Sequence, residues 1–301
     1  MQNSGFNRRK LARALSLAAK ATLEDILDAT DNDEESTARR LGITGPAGVG
    51  KSTLVNRLVE ARLAKEKQIG VLAVDPSSPV TQGAILGDRI RIDSAIEDPN
   101  LYFRSVSSTY QHDGLCHNIT GMLNVFDNFD FDEIILETVG VGQTDYDVRH
   151  QVDVVILVLS PESGDIVQAM KAGILEIADI YVINKSDLDG ADRLAGELNN
   201  VLQYKNIAAS GWNPRITKVS AKDGAGINEL DMVIDEYYQW SAKNLDKNDV
   251  QNKRRLYQLG QLVNQGLRDV MEGHKVKGES LRELYQHAIA EMGSKNGMST
   301  N

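Results

Sequence analysis

Residues 45–52 have the spacing G-x-x-x-x-G-K-S of a phosphate-binding loop. Its glycines would let the backbone bend so that successive N–H groups point at phosphate oxygens. Lys51 would then reach the β- and γ-phosphates, and the Ser52 hydroxyl could ligate a magnesium ion. Residues 41–44 can end a strand, and residues 52–59 can open a helix whose positive end faces the anion. The predicted nucleoside triphosphate site comprises Gly45, Ala47, Gly48, Val49, Gly50, Lys51, Ser52 and Thr53.

Six further apolar runs follow along the chain, and helical patterns separate them. They span residues 69–74, 101–106, 134–136, 152–159, 180–183 and 216–219. Continuous apolar runs are typical of parallel strands that are buried on both faces, so we expect an α/β fold with a doubly wound, mostly parallel sheet. Ligands bind such sheets outside the carboxyl ends of the strands. Asp75, Glu137, Asn184 and Ser220 all fall at such ends.

Helical patterns flank the predicted sheet domain. Residues 7–29 have the periodicity of an amphipathic helix, and residues 249–272 and 278–292 are helical without strand signals. The predicted division is an N-terminal helical extension (1–39), a P-loop domain (40–240) and a C-terminal helical arm (241–301). The arm either packs on the sheet domain or joins a second subunit.

The first 23 residues are basic and contain no acid, which resembles a transit peptide. On that interpretation the protein would enter the mitochondrial matrix. The alternative is that the helix docks on the core through a stripe of Leu11, Leu15, Ala18, Ala19 and Leu23.

The composition narrows the partners and the compartment. The chain has 301 residues with 43 acids, 33 bases and a net charge of −10. Proteins that bind nucleic acid through its phosphates are usually basic, so we expect no nucleic-acid partner. The single cysteine, Cys116, cannot form an internal disulfide, which favours a reducing compartment such as the cytoplasm. No apolar run approaches the roughly 18 residues of a membrane-spanning helix, so we expect no membrane partner.

A base-reading motif follows the run at 180–183. Residues 184–187 have the pattern N-K-x-D. The Asp187 carboxylate could accept hydrogen bonds from the ring N1–H and the exocyclic amino group of guanine, which adenine does not offer in that arrangement. Asn184 could bond the base edge or tie this loop to the phosphate loop, and the Lys185 stem could lie over the base. The guanine carbonyl oxygen would meet the backbone amides of Ser220, Ala221 and Lys222. We therefore expect GTP or GDP as the ligand.

Acids near strand ends are candidates for a magnesium site. Mg²⁺ takes one or two carboxylates besides water and phosphate oxygens. Glu137 follows a buried strand, Asp75 ends a neighbouring run, and Asp88 is a third candidate. With the Ser52 hydroxyl, these acids make up the predicted metal ligands. Acids at strand ends also cap helices, which is the alternative role. Gly140 could donate its amide to the γ-phosphate and make its segment a switch. The predicted catalytic residues are Lys51, Asp88 and Glu137.

Five segments resemble the methylmalonyl-CoA-mutase-associated GTPases, the MeaB/ArgK family of the SIMIBI class. They are residues 42–53, 73–79, 83–91, 137–143 and 164–187. The resemblance implies that Asp75, Asp88 and Glu137 serve the magnesium site directly or through water. It also implies that the loop around Asp165 and Lys171 is a switch that senses nucleotide and partner.

The resemblance also implies a biological role. Family members usually dimerise through C-terminal helices and act as chaperones that gate adenosylcobalamin loading and protect an acyl-CoA mutase. Their GTP hydrolysis is slow and is stimulated by the partner. We therefore expect a homodimeric, Mg²⁺-dependent GTPase whose client is a mutase of the methylmalonyl-CoA mutase type.

One loop departs from the family pattern Arg-Ser-x-x-x-Arg-Gly-x-Leu-Gly-Gly-Leu. Residues 104–105 and 114–115 keep their parts of it, but the second arginine and the next glycine are missing. His112, Cys116 and His117 bring three potential metal ligands into the same loop. The alternative function is therefore that of a SIMIBI metallochaperone that delivers nickel or another metal to an enzyme. The other interpretation is that these residues bind no metal. Cys116 would then be a small buried residue, and the two histidines would be polar groups at the surface.

A further alternative comes from a name that is used in this family, a kinase for lysine/arginine/ornithine-type transport. A kinase would need ATP and a phosphoacceptor, and Asp187 argues against ATP. The remaining class of function is that of a purely structural or interaction protein. It predicts that Lys51→Ala leaves every function intact.

Overall fold

The computed structural model describes residues 6–21, 25, 38–76, 98–108, 118–140, 147–163, 173–204, 211–273 and 280–295. Within these ranges, the strands follow one another in the order that the apolar runs predict. All seven predicted strands are present: β1 Arg39–Thr44, β2 Ile69–Pro76, β3 Leu101–Ser108, β4 Glu133–Glu137, β5 Val154–Leu159, β6 Ile180–Ile183 and β7 Arg215–Lys218.

The strands form one sheet in the order β3-β2-β4-β1-β5-β6-β7, and every neighbouring pair is parallel. From the central β1 the chain passes to β2 and the edge strand β3, returns to β4 beside β1, and then continues through β5, β6 and β7 on the other side. This is the doubly wound topology predicted from the sequence. The register places Ile43 of β1 beside Glu137 of β4, and Thr44 beside Leu157 of β5. Because all strands run the same way, their carboxyl ends meet at one edge of the sheet.

Helices cover both faces of this sheet. The described helices are α1 Arg8–Ala18, α2 Lys51–Leu63, α3 Ile119–Asp127, α4 Ala191–Tyr204, α5 Ile227–Asn244, α6 Lys247–Gly273 and α7 Leu281–Lys295. One face shares an apolar cluster with α1, α3 and α4, and the other shares one with α2 and α5. In β5, Val155 and Leu157 belong to the first cluster, whereas Val154 and Ile156 belong to the second. Burial on both faces explains why the strands are continuous apolar runs.

The N-terminal helix α1 is part of the packed core. Leu11 and Leu15 are fully buried in the cluster that α1 shares with α3. The Arg8 guanidinium donates to the Leu101 carbonyl oxygen at 2.8 Å, which ties the start of the helix to β3. The docking alternative for the apolar stripe is therefore confirmed for these two leucines, and Leu23 lies outside the described residues.

By its internal contacts the chain divides into two compact units. The first comprises Met1–Ala19 and Glu35–Leu245 and contains the sheet. The second comprises Lys20–Glu34 and Asp246–Asn301, and within it α6 and α7 pack against each other. The division at residues 39 and 240 stays a prediction. No helix in the described part of the chain is both long and apolar enough to span a membrane.

Candidate functional site

The phosphate loop connects β1 to α2, as the sequence predicts. Its last residue before the helix, Gly50, has φ +91°. A Cβ at Gly50 would also collide with the side-chain nitrogen of Asn184. Glycine alone satisfies both the backbone angle and the close neighbour. The amino end of α2, with its N–H groups and positive dipole end, therefore begins directly at the loop.

Lys51 is the first residue of α2, and its side chain extends back over the phosphate loop. Its Nζ donates to the carbonyl oxygens of Gly45 at 2.8 Å and Pro46 at 3.0 Å, and the residue is only 7% exposed. A buried ammonium group is thus held within the phosphate loop, beside the first turn of α2. A positive charge next to a helix amino end favours the binding of anions such as phosphate.

Side-chain oxygens of α2, β4 and β2 lie at the carboxyl edge of the sheet. The Ser52 hydroxyl donates to Glu137 Oε1 at 2.6 Å, which joins the first turn of α2 to the end of β4. Asp75 is buried at the end of β2, the strand that pairs with β4. No three His, Cys, Asp or Glu side chains among the described residues form a metal cluster of their own. Hydroxyl and carboxylate oxygens are nevertheless the donors that Mg²⁺ takes when phosphates supply further ligands.

The segment after β4 approaches the phosphate loop closely. The Thr138 amide donates to the Ile43 carbonyl oxygen at 3.0 Å. Further along, Gly140 has φ +82°, and a Cβ there would collide with the Gly45 carbonyl oxygen and Lys51 Nζ. The backbone of the predicted switch can therefore lie against Lys51 only because residue 140 is glycine.

Asn184 joins the phosphate loop to the segment after β7. Its side-chain nitrogen donates to the Val49 carbonyl oxygen at 2.8 Å, and its side-chain oxygen accepts from the Ala221 amide at 3.0 Å. The residue is 2% exposed. Of the two roles predicted for Asn184, the structure therefore shows the tie between loops.

Asp187 is exposed in the turn after β6. A hydrogen bond from the Ser220 side chain is the largest cause that lowers the pKa of Asp187, and the charges of Lys222 and Lys185 add to it. The Ser220 hydroxyl also donates to Asp223 Oδ2 at 2.8 Å. The Asp187 carboxylate is ionised at neutral pH, the state that can accept two hydrogen bonds from guanine.

An arginine that no sequence motif indicated lies between the two halves of the site. Arg57 of α2 donates from Nε to the Ala221 carbonyl oxygen at 2.9 Å and from Nη2 to the Lys222 carbonyl oxygen at 2.9 Å. Glu60 Oε2 accepts from Arg57 Nη1 at 3.0 Å. The sequence places Arg57 on the helix that begins at Lys51, but no spacing rule identifies a distant backbone carbonyl as the partner of an arginine.

Several predicted residues lie outside the described ranges. They are Asp88 of the magnesium set, Asp165 and Lys171 of the predicted partner-sensing switch, and His112, Cys116 and His117 of the alternative metal site. The other predicted site residues lie in the phosphate loop, in the first turn of α2, at the ends of β2 and β4, and in the segments that follow β4, β6 and β7.

Comparison with known proteins decides the family. Residues 11–275 match the family model described as Methylmalonyl Co-A mutase-associated GTPase MeaB. The chain belongs to this family. A putative GTPase of Pyrococcus abyssi is 36% identical over 281 residues, which cover 91% of this chain and 85% of the relative. The mitochondrial methylmalonic aciduria type A homolog of Mus musculus is 32% identical over 233 residues, or 76% of this chain and 56% of the relative.

This MeaB-family chain is a GTPase, as its motifs predict. Its fold is similar to the crystal structure of a LAO/AO transport system kinase, with a TM-score of 0.63 over 98% of this chain and 94% of the other. The two sequences are 22% identical, so this likeness shows the fold alone. It confirms the doubly wound α/β P-loop architecture.

Proposed function

We propose that this GTPase is a magnesium-dependent chaperone for an adenosylcobalamin-dependent acyl-CoA mutase. It couples GTP binding and hydrolysis to cofactor loading or protection of that client. The description of the matched family, mutase-associated GTPase, supports a client of the methylmalonyl-CoA mutase type. The single cysteine supports a reducing compartment, and we place the protein in the cytoplasm.

The observation that carries the proposal is the double hydrogen bond of Asn184, to the Val49 carbonyl and to the Ala221 amide. It joins the phosphate loop and the base-reading segments into one site that a single guanine nucleotide can fill. In this site, Asp187 accepts from the guanine N1–H and amino group. The Ser220 amide donates to the Ala225 carbonyl oxygen and the Ala221 amide to Asn184, so the Lys222 amide is our candidate among the three predicted donors to the guanine carbonyl oxygen.

Hydrolysis of GTP depends on positioning and charge stabilisation rather than on covalent chemistry. Lys51 holds the β- and γ-phosphates together with the amides of residues 45–53 and the amino end of α2. The Gly140 amide contacts the γ-phosphate, so the segment after β4 loses a ligand when that phosphate leaves. Such a loss is the usual basis of a GTPase switch, and residues 165–171 extend it to the partner.

The donor set of this chain fits Mg²⁺. Ser52 and Glu137 are within hydrogen-bond distance of each other, and Asp75 is buried at a neighbouring strand end. These are few, hard oxygen donors, as Mg²⁺ requires besides phosphate oxygens and water. We assign Ser52 and Glu137 to the magnesium site, with Asp75 and Asp88 serving it directly or through water. When bound, the ion neutralises charge on the β- and γ-phosphates.

The C-terminal arm, residues 241–301, is our candidate for self-association. Large apolar side chains are exposed on α6 and α7: Leu256, Leu259, Leu281, Tyr285 and Ile289. On each helix they are spaced three or four residues apart, which places them along one face. We propose that this face joins two copies of the chain in a homodimer.

The test is steady-state GTP turnover by the purified protein, with and without an adenosylcobalamin-dependent acyl-CoA mutase from the same source. We expect slow turnover alone and a several-fold increase with the mutase. Lys51→Ala should remove both rates, because it removes the ammonium group from the phosphate loop. An acyl-CoA-binding enzyme that uses no cobalamin is the control. Turnover that the mutase leaves unchanged would overturn the client and leave the GTPase in place.

A further inference from the structure

Arg57 makes a two-pronged contact with the segment that the proposed function assigns to the guanine carbonyl oxygen. Its Nε and Nη2 each lie 2.9 Å from consecutive carbonyl oxygens, those of Ala221 and Lys222. The planar guanidinium fork presents both donors in a fixed geometry, which a lysine ammonium group does not. Glu60 accepts from the third nitrogen, Nη1, at 3.0 Å and so orients the fork.

A carbonyl group that is held in place also orients the next amide. Each peptide unit is planar, with its C=O and N–H on opposite sides. Fixing the Ala221 carbonyl therefore fixes the direction of the Lys222 N–H, and fixing the Lys222 carbonyl fixes that of the Asp223 N–H. Arg57 therefore orients the Lys222 amide, in a segment that also holds itself through backbone hydrogen bonds from Asp223 and Gly224 to the Ser220 carbonyl oxygen.

The same contact links base recognition to the phosphate loop. Arg57 and Lys51 lie on one helix, and Asn184 ties the Ala221 amide back to the Val49 carbonyl. The Ala221 residue is therefore held on its amide side through Asn184 and on its carbonyl side through Arg57. Both ties lead to the phosphate loop or to the helix that begins there.

We propose that Arg57 is a positioning residue for guanine selectivity, which it sets by holding residues 220–222 in register with the phosphate loop. This inference rests on the proposed binding of guanine nucleotides at the same site. Arg57 does not touch the phosphates in this assignment. Its loss should therefore weaken base recognition and leave the rate of hydrolysis at saturating GTP nearly unchanged.

The experiment compares Kd values of the full-length protein and its Arg57→Leu variant for GDP, IDP and ADP. Inosine keeps the ring carbonyl of guanine and lacks its 2-amino group, whereas adenine lacks the carbonyl. We expect the Kd of both GDP and IDP to rise about 10-fold, the size expected for the loss of one well-placed hydrogen bond. The Kd of ADP should stay within about 2-fold of the wild-type value. The kcat at saturating GTP should also stay within about 2-fold of the wild-type value.

Two further variants keep the outcome interpretable. Arg57→Lys retains the charge without the fork and should recover less than half of the lost selectivity, measured as the ratio of ADP to GDP affinity. Arg193→Leu removes an exposed arginine that pairs with Glu197 on α4 and should change none of the affinities. Selectivity that survives in Arg57→Leu, or an equal loss of GDP and ADP affinity, would overturn the inference. A wild-type protein that binds ADP as tightly as GDP would instead refute the base-reading assignment itself.

Discussion

The Ser52 hydroxyl donates a hydrogen bond to Glu137 Oε1 at 2.6 Å. One residue opens the helix that follows the phosphate loop, and the other ends the strand next to β1, so the contact joins two elements that are far apart in sequence. The hydroxyl and the carboxylate are hard oxygen donors of the kind that Mg²⁺ takes, and they lie close enough to bind the same ion.

Glu137→Gln should lower GTP turnover by about 100-fold or more, because it removes the negative charge that we assign to Mg²⁺ while keeping the side-chain shape. The Mg²⁺ concentration for half-maximal turnover should rise as well. The measurement is GTP hydrolysis as a function of magnesium concentration. Glu197→Gln, an exposed acid on α4, is the control and should behave as the wild type. Normal magnesium dependence in Glu137→Gln would contradict the assignment.

Gly140→Ala should abolish most GTP turnover. The new Cβ would meet the Gly45 carbonyl oxygen and Lys51 Nζ at a backbone angle that favours glycine, so the phosphate loop or the segment after β4 must move. Gly196→Ala is the matched control, since open space surrounds that glycine within α4. It should stabilise the protein by about 0.5–1 kcal/mol through helix propensity. Turnover and thermal unfolding of both variants test the pair, and full activity in Gly140→Ala would show that the close approach is dispensable.

Asp187→Asn should transfer base preference from guanine to xanthine. The amide donates where the carboxylate accepts, and xanthine offers a carbonyl where guanine has its amino group. We expect the affinity for GDP to fall by about 100-fold or more, as for the loss of charge-assisted hydrogen bonds, while the affinity for XDP rises. Equilibrium titration with both nucleotides gives the answer, with Asp192→Asn, whose carboxylate pairs with Lys218, as the control. An unchanged preference for GDP means that another group reads the base.

The sequence predicts the parts of this site that depend on local spacing. The phosphate loop, the seven strands and the turn at Asn184 all follow from nearby residues, because hydrophobic period and glycine position act over short distances. The sequence did not show which of two roles Asn184 takes, since both need only an amide at that position. The contact between Arg57 and Ala221 could not be predicted either. The two residues are far apart in sequence, and no local pattern identifies which backbone carbonyl an arginine on a helix will contact.

Leu15→Ala should destabilise the protein by about 2–5 kcal/mol, since the leucine on α1 is fully buried in the core cluster and its removal leaves a cavity. Leu17→Ala on the same helix removes a side chain that is 65% exposed, and it should cost no more than about 0.5 kcal/mol. Urea unfolding followed by circular dichroism measures both. A loss of unfolding free energy in Leu15→Ala as small as that in Leu17→Ala would mean that α1 contributes no packing to the fold.

A buried group of charges lies at the far end of α2 from the phosphate loop. Arg62 is fully buried and contacts Asp231 at 2.9 Å, Asp235 at 2.7 Å and Glu133 at 3.3 Å. Burial raises the pKa of Glu133, and the Arg62 charge opposes that rise. Arg62→Met should therefore destabilise the protein by about 3–5 kcal/mol at pH 8, because it leaves the Glu133 carboxylate buried without its ion-pair partner. Asp231 and Asp235 keep their contacts with Lys65.

The loss in Arg62→Met should shrink as the pH falls from 8 to 5. Without the guanidinium, the pKa of Glu133 rises further above its unfolded value, so the folded variant binds more protons than the unfolded chain. The stability that this protonation contributes is complete below the unfolded pKa of 4.5 and is lost as the pH rises through the folded pKa. Adding Glu133→Gln to Arg62→Met should restore part of the stability and flatten its pH dependence. Urea unfolding at both pH values measures the gap between wild type and variant, and a gap that ignores pH would refute the role of buried carboxylates in it.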